Sequence, residues 1–518
     1  MRLHGFIAFA ACFVQTTFAQ NGVPRDLDSW VEKTMKTFEV PGISVAIVKD
    51  GKPVLTKGYG VKKLGEPEPV DEMTLFGIAS NTKAFTATAL GLLVEEGKVE
   101  WDAPVVRYLP WFQLSDPYVT REITIRDLLV HRSGLGLGAG DLLWWPTSTY
   151  DRKEIAKRLR FIPLKTSFRS AYAYDNVLYL VAGEVIEAVS GLTWEEFVQT
   201  RILDKLGMTT SNVHHSDAAS GANVATTHAR VDGVVRPIAP FTSDVVNPAG
   251  GVNSNAHDIA RWMICELDSG RMADGSRLYS PRVTRQMWGI VTPFNPGIPA
   301  QELAPLRTNF SGYALGLGIS EYRGRKMVAH TGGLPGYVSR ITLIPELRLG
   351  VAVFTNQESG EAFDVITDHI LDAYMNVPEY DWLGAFKRLT ARRDSIFKST
   401  EQKEASSRDT TSRPSLPLAK YAGEFTDPWY GSIVVEYADG QLTMKFSHTP
   451  SLTGKMEFYQ YNTFIARWND RELRADAYVT YALNPDGTID QVKLKSVSPE
   501  TDFSFDFQDL LLKPASKK

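Results

Sequence analysis

Between Ser80 and Gly97 the chain reads "SNTKAFTATALGLLVEEG". Ala84, Phe85, Ala87, Ala89, Leu90, Leu92, Leu93 and Val94 surround this predicted helix on nearly every side. A helix that is apolar all round is stable only when covered on all faces, so it must lie inside a layered domain. The flanking sequence supplies the layers. "ISVAIVKDGKPVLTKGYGV" reads as a β-hairpin, with Asp50-Gly51 providing the positive φ angles of a tight turn. A helix-rich middle follows. From Tyr313 to Asn356 the pattern returns to strands, with turns at Arg323-Gly324 and Pro345-Glu346, and "AFDVITDHILDAYM" closes the region as a helix. Strands at both ends with helices between predict an α+β domain whose sheet joins N- and C-terminal strands, the middle forming a helical lobe.

The 518 residues are enough for more than one domain. Residues 395–417, "SIFKSTEQKEASSRDTTSRPSLP", are polar and aperiodic and read as a linker. Beyond it, "GSIVVEYADGQLTMKF", "NTFIARW" and "AYVTYALNPDGTIDQVKLKSV" alternate around Asp-Gly turns, predicting a small antiparallel β domain over 418–518. The first unit then spans 20–394. Aromatics Trp429, Tyr430, Tyr459, Tyr461 and Trp468 are read as barrel core or as a plug against the first domain rather than an exposed binding face. The β domain is accordingly expected to pack on its neighbour.

A net charge of -4 gives no basic stripe for nucleic acid. The start, "MRLHGFIAFAACFVQTTFAQ", reads as a signal peptide cleaved after Ala19, with lipidation at Cys12 as the alternative. The expected location is secreted or periplasmic. No apolar run reaches transmembrane length. Cleavage leaves Cys265 without an intrachain partner, so it is read as packing. His214, His215 and His228 have no acidic or cysteine neighbour at ligand spacing, so no metal site is expected.

Ser80 and Lys83 stand three apart, on one face of the first helical turn. Exposed N–H groups there favour developing negative charge and disfavour an idle cation, so a buried Lys83 should have a lowered pKa, as a base needs. The pair alone is weak, since Ser395 and Lys398 repeat it at the edge of the expected linker. A second feature is Tyr174 with Asn176, just before the apolar helix "VLYLVAGEVIEAV"; Tyr374 and Asn376 repeat that spacing as a decoy. The third is His330-Thr331-Gly332-Gly333 at the end of a predicted strand, where two glycines admit an extended substrate backbone.

With these three features in order, the chain resembles the serine β-lactamase and penicillin-binding-protein superfamily, in its class C-like, esterase-related branch. Ser80-Asn81-Thr82-Lys83 matches Ser-x-x-Lys, Tyr174-Asp175-Asn176 matches Tyr-x-Asn, and His330-Thr331-Gly332 stands at Lys-Thr-Gly. The resemblance covers roughly Leu27 to Leu371. It implies a β-lactamase/transpeptidase-like fold and cofactor-free acyl transfer through an ester on Ser80, to a small-molecule or peptide substrate. Lys83, Tyr174 or both remove the Ser80 proton, Asn176 holds Lys83, and the N–H groups of Ser80 and Gly333 form the oxyanion hole. The appended segment resembles the lipocalin-like barrel found on such hydrolases.

His330 is the departure. Where relatives that bind penicillins place a fixed lysine cation, histidine is mostly neutral at pH 7. That favours an esterase or D-amino-acid amidase over a β-lactamase or D,D-carboxypeptidase; a fragment-binding protein without turnover is the alternative from another class. Trp144 and Trp145 are candidate walls of an acyl pocket. His131 is read as packing, because Thr124 and Asp127 form a capping pair for its helix.

Overall fold

The computed structural model describes residues 22–216 and 221–515. The expected signal peptide, its cleavage point and Cys12 lie outside the described residues. Helix α1 (Leu27–Phe38) precedes the hairpin β1 (Gly42–Lys49) and β2 (Lys52–Gly60). Asp50 and Gly51 both take positive φ at its turn, as the sequence requires. The central helix α2 (Thr82–Glu95) is followed by α3 (Val177–Ser190) and α4 (Ala256–Leu267). Six further strands complete the first sheet: β3 (Thr292–Phe294), β4 (Ser311–Tyr313), β5 (Gly318–Tyr322), β6 (Arg325–Leu334), β7 (Tyr337–Ile344) and β8 (Leu349–Thr355). Their order, β2-β1-β8-β7-β6-β5-β4-β3, joins the two ends of the domain by pairing β1 with β8.

Strand β1 explains its own composition. Ile43, Val45 and Ile47 face a core shared with α1 and α5 (Gly360–Met375), while Ala46 and Val48 join the core on the opposite face. A sheet covered on both sides has no polar face, so the strand is apolar apart from the buried Ser44 and the terminal Lys49. On the second face α2 is buried along all but its last turn, with Phe85 stacked on Trp262 of α4 at 4.0 Å. At about 25 cal/mol per Å2 of apolar surface, this burial fixes α2 against its apolar surroundings far more firmly than helix propensity does.

The expected linker is helical over its first half. Helix α6 (Trp382–Ser406) starts from a fully buried Trp382, whose indole N–H donates to Asp372 Oδ2 at 2.9 Å. It runs outward through Arg392–Glu302 and Arg393–Glu361 ion pairs at 3.0 and 2.9 Å. Arg, Lys, Glu, Gln and Ala are good helix formers. Polarity without periodicity therefore concealed a helix anchored at one end. The chain from Ser407 onward lies along the second domain, with Ser415 N–H donating to Asn462 Oδ1 at 3.0 Å.

That domain has strands β9 (Gly423–Asp427), β10 (Gly431–Ala438), β11 (Gln441–Phe446), β12 (Thr453–Gln460), β13 (Thr463–Trp468), β14 (Ala477–Leu483), β15 (Ile489–Ser496) and β16 (Lys513–Pro514). All pair antiparallel in the order β15-β14-β13-β12-β11-β10-β9-β16, and a bridge from Val492 to Leu512 nearly closes the barrel. It packs on the first domain as expected. Trp429, Tyr430 and Trp468 are buried, whereas Tyr461 is exposed. Among the described residues no single helix is long and apolar enough to cross a membrane.

Candidate active site

Ser80 does not itself open the α-helix. It sits in a 3-10 turn, Ala79–Asn81, that leads into α2, and Ala79 before it has φ +49°. A left-handed alanine costs about 1–2 kcal/mol, so the surroundings must hold the turn. Ile78 N–H donates to Val252 O at 3.0 Å, Ser339 Oγ donates to Ile78 O at 2.7 Å, and Asn81 Nδ2 donates to Ser339 Oγ at 2.8 Å. The two glycines of β6 divide their work. A Cβ on Gly332 would lie 2.3 Å from Ile78 O and 2.9 Å from Ala79 Cβ, so this glycine serves the nucleophile turn rather than a substrate. Gly333 faces open space, with nothing within 4 Å of such a carbon. Gly332→Ala should therefore cost about 1–3 kcal/mol by overpacking, and also displace Ser80. A thermal melt with kcat measured alongside checks this: a lower midpoint and a lower kcat are expected together.

Lys83 is fully buried. Its Nζ has three polar neighbours: Ser80 Oγ at 2.9 Å, Asn176 Oδ1 at 2.8 Å and Ala249 O at 3.0 Å. Asn176 presents its oxygen because its Nδ2 donates to Asp141 Oδ2 at 2.8 Å. Both Asn176 Oδ1 and Ala249 O can only accept. A neutral amine has two N–H donors and one lone pair. The two donors satisfy these oxygens, and the lone pair is left facing the Ser80 hydroxyl. Burial lowers the Lys83 pKa to about 7, against the opposing pull of Asp141 and Asp175. Those carboxyls are themselves raised by burial, Asp141 to about 7 and Asp175 to about 8. Tyr174 is pushed far above its usual range by burial, a hydrogen bond with Ser80 opposing, so it stands as a neutral phenol beside the nucleophile. The arrangement can accept a proton at Lys83 and donate one from Tyr174.

His330 has no charge to offer. Its Nδ1 lies 2.5 Å from Thr331 O, which accepts only, so Nδ1 carries the proton and Nε2 accepts from the Tyr313 hydroxyl at 2.7 Å. Burial, with the Lys83 charge adding to it, lowers its pKa to about 3. Thr331 is exposed at the pocket rim.

A cavity of about 620 Å3 opens at Ser80. Trp144 and Trp145 form one wall, Trp145 stacked on Phe241 at 5.6 Å, and Trp144 Nε1 donates to Asp141 Oδ1 at 3.0 Å. His131 packs behind the site, its ring 4.3 Å from that of Tyr174 and its Nδ1 accepting the Asp175 N–H at 3.2 Å. Thr124 and Asp127 form the expected capping box. The decoys fall elsewhere: Ser395 and Lys398 lie exposed on α6, and Tyr374 donates to Gly22 O while Asn376 ends α5. Cys265 is buried. Among the described residues no group of three or more His, Cys, Asp or Glu side chains is placed to hold a metal ion.

Four contributors were not singled out from sequence: Asp141, Tyr313, Ala249 O and Ser504. Asp141, in "AGDLLWW", carried the only available signal, an acid inside an apolar run.

The chain matches the Beta-lactamase family over residues 27–375 and a domain of unknown function, DUF3471, over 407–514. It is similar to the unguisins hydrolase ungD' of Aspergillus campestris, 29% identical over 494 residues, covering 90% of this chain and 89% of the relative. The octameric penicillin-binding protein homologue from Pyrococcus abyssi shares the fold across 94% of this chain and 99% of its own, with a TM-score of 0.58 at 22% identity. The D-amino acid amidase from Ochrobactrum anthropi SV3 shares it across 68% of this chain and 99% of its own, with a TM-score of 0.55 at 24% identity. The family match spans well over half of the 518 residues, and the chain belongs to the beta-lactamase family of serine hydrolases.

Proposed function

We propose that the protein hydrolyses an ester or amide through an acyl-enzyme on Ser80, with Lys83 as the base. The carrying observation is the placement of buried Lys83 Nζ, 2.9 Å from Ser80 Oγ, with Asn176 Oδ1 and Ala249 O at 2.8 and 3.0 Å to take the two N–H groups of its neutral form. Ser80 Oγ bonds to the substrate carbonyl carbon while its proton passes to Lys83 Nζ. The resulting oxyanion is held by the Ser80 and Gly333 N–H groups, each such donor being worth about 3 kcal/mol. The carbon–leaving-group bond then breaks as Tyr174 protonates the departing oxygen or nitrogen, and Lys83 returns its proton to Tyr174. Water repeats the sequence on the ester and frees the acid. The neutral, tyrosine-capped His330 supplies no cation for a substrate carboxylate, which argues against β-lactams. The walls at Trp144 and Trp145 suit an apolar or aromatic acyl group. A relative named as an unguisins hydrolase and a structural neighbour named as a D-amino acid amidase support a hydrolytic reading of this kind. The apolar leader that ends near Ala19 supports export to the periplasm or medium.

A panel of p-nitrophenyl esters, D-amino-acid amides and a chromogenic cephalosporin tests this. Ester or amide turnover is expected, with cephalosporin kcat/KM about 100-fold lower, the size of one missing charge-assisted contact. Because the neutral amine is the active form, kcat/KM should rise with pH and level off above about 7. At pH 6 it should be about a tenth of the plateau. Fast cephalosporin turnover would overturn the reading of His330, and covalent labelling of Ser80 without turnover would favour a binding protein.

A further inference from the structure

The barrel reaches into the site just described. Asp502, Phe503 and Ser504 follow β15 and line the same cavity as Ser80. Ser504 is buried, 4% exposed, and its hydroxyl donates to Asp141 Oδ2 at 2.9 Å. That carboxylate oxygen also accepts from Asn176 Nδ2 at 2.8 Å, and Asn176 Oδ1 accepts from Lys83 at 2.8 Å. Two residues further on, Asp506 accepts the backbone N–H groups of Gly140 and Leu142 at 2.8 and 3.2 Å, gripping the turn that carries Asp141. Phe503 stands edge-on to the Tyr174 ring at 6.1 Å, over Gly138, where a Cβ would meet it at 2.8 Å.

We infer that the β domain completes the catalytic site, with Ser504 a positioning residue that acts through Asp141 and Asn176 on Lys83. The orientation of the Asn176 amide decides where the Lys83 lone pair points, and that orientation holds only while Asp141 Oδ2 accepts. A carboxyl group that loses the Ser504 donor can take up a proton and donate to Asn176 Oδ1 instead. The amide then inverts, its N–H2 group faces Lys83, and the lone pair turns from Ser80 to Asn176. The bond to Ser504 holds the acceptor state. Among the described residues the other donor at Oδ2 is Asn176 Nδ2 itself, and Trp144 occupies Oδ1.

This inference rests on Lys83 being the base of Ser80, and the test keeps the two apart. The probe is a fluorophosphonate: Ser80 Oγ bonds to phosphorus, fluoride leaves, and the serine proton passes to Lys83. The full-length chain is used throughout, and the inactivation rate at saturation is measured separately from the half-saturating concentration. Ser504→Ala should slow the saturating rate about tenfold, one hydrogen bond's worth, with half-saturation unchanged. Ser504→Thr, which keeps the hydroxyl, should restore it to within about threefold of wild type. Tyr150→Phe removes a different hydrogen bond of the domain interface, to Tyr430 O, and should leave the rate unchanged. A wild-type rate in Ser504→Ala, or an equal loss in Tyr150→Phe, overturns the inference and leaves the proposed function standing. If Ser504→Ala does not melt cooperatively, Ser504→Cys, a weaker donor of similar size, carries the same comparison. An unlabelled wild type, or labelling that survives Ser80→Ala, defeats the proposed function and the inference with it.

Discussion

Lys83→Ala is expected to lower kcat/KM for the best ester or amide by about 10^3–10^4-fold, and Ser80→Ala by at least as much. The two losses should not add, because each removes the same proton transfer; the double variant should be no slower than Ser80→Ala. Lys83→Arg should not rescue activity, since a guanidinium stays protonated and has no lone pair to give. The contribution of Lys83 to stability should also rise with pH, over a higher range than activity does. Lys83 titrates near 7 in the folded protein and near 10.4 when unfolded. Between those values the unfolded chain binds the extra proton, so this group makes the folded protein more stable as pH rises, and its cost is full at and below 7. Relative to wild type, Lys83→Met should therefore be most favourable near pH 7 and lose about 4 kcal/mol of that advantage by pH 10. Chemical denaturation at the two pH values reads this difference. A pH-independent difference would mean that Lys83 is not a desolvated amine, and the proton-transfer argument would fail with it.

The parts of this site carried by local pattern were legible in the sequence. Ser80 and Lys83 share a face through helical spacing, Tyr174 and Asn176 precede an apolar helix, and His330 lies in a strand, expected to end there but running on to Leu334. The hairpin at Asp50-Gly51 was equally plain, because positive φ at two successive residues has few compositional solutions. What stayed hidden depends on approach in space. The need for Gly332 comes from Ile78 O, which reaches it only when β6 packs on the nucleophile turn. The left-handed Ala79 has no compositional mark, since alanine is tolerated there only under tertiary constraint. Ser504 touches Asp141 across 363 residues of sequence, from a domain whose strand pattern says nothing about the site. His330 was legible as a weak cation. Its complete neutrality follows from burial, and its tautomer from Tyr313 and Thr331 O, none of which the motif includes. Helix α6 was missed for the opposite reason: its anchor, Trp382, lies 13 residues before the stretch read as a linker.

Truncation after Pro414 is expected to lower the melting midpoint by about 10 °C or more and to cut activity at least tenfold. One continuous apolar cluster runs from Tyr150 and Ile162 of the hydrolase domain into Trp429, Tyr430, Phe505 and Phe507 of the barrel. Truncation would expose its first half to water, an aggregation hazard as well as a loss of burial energy. Polar losses add to it. Tyr150 stacks on His448 at 4.0 Å, Arg158 donates to Trp429 O at 2.9 Å, and Lys165 pairs with Asp509 at 3.0 Å. Arg474 grips Glu358 through two bonds of 2.6 and 2.8 Å. These exposed ion pairs contribute little individually, so most of the shift should come from the apolar cluster and from Gly140 and Leu142, whose N–H groups lose Asp506. The activity loss has a separate origin in the Asp141 turn. A chain cut at Pro414 that melts lower yet keeps wild-type kcat would show that the barrel stabilises the fold without shaping the site. A cut that changes neither would make the barrel a passenger, and the buried interface would then have to be energetically idle, against the usual cost of exposing several aromatic side chains.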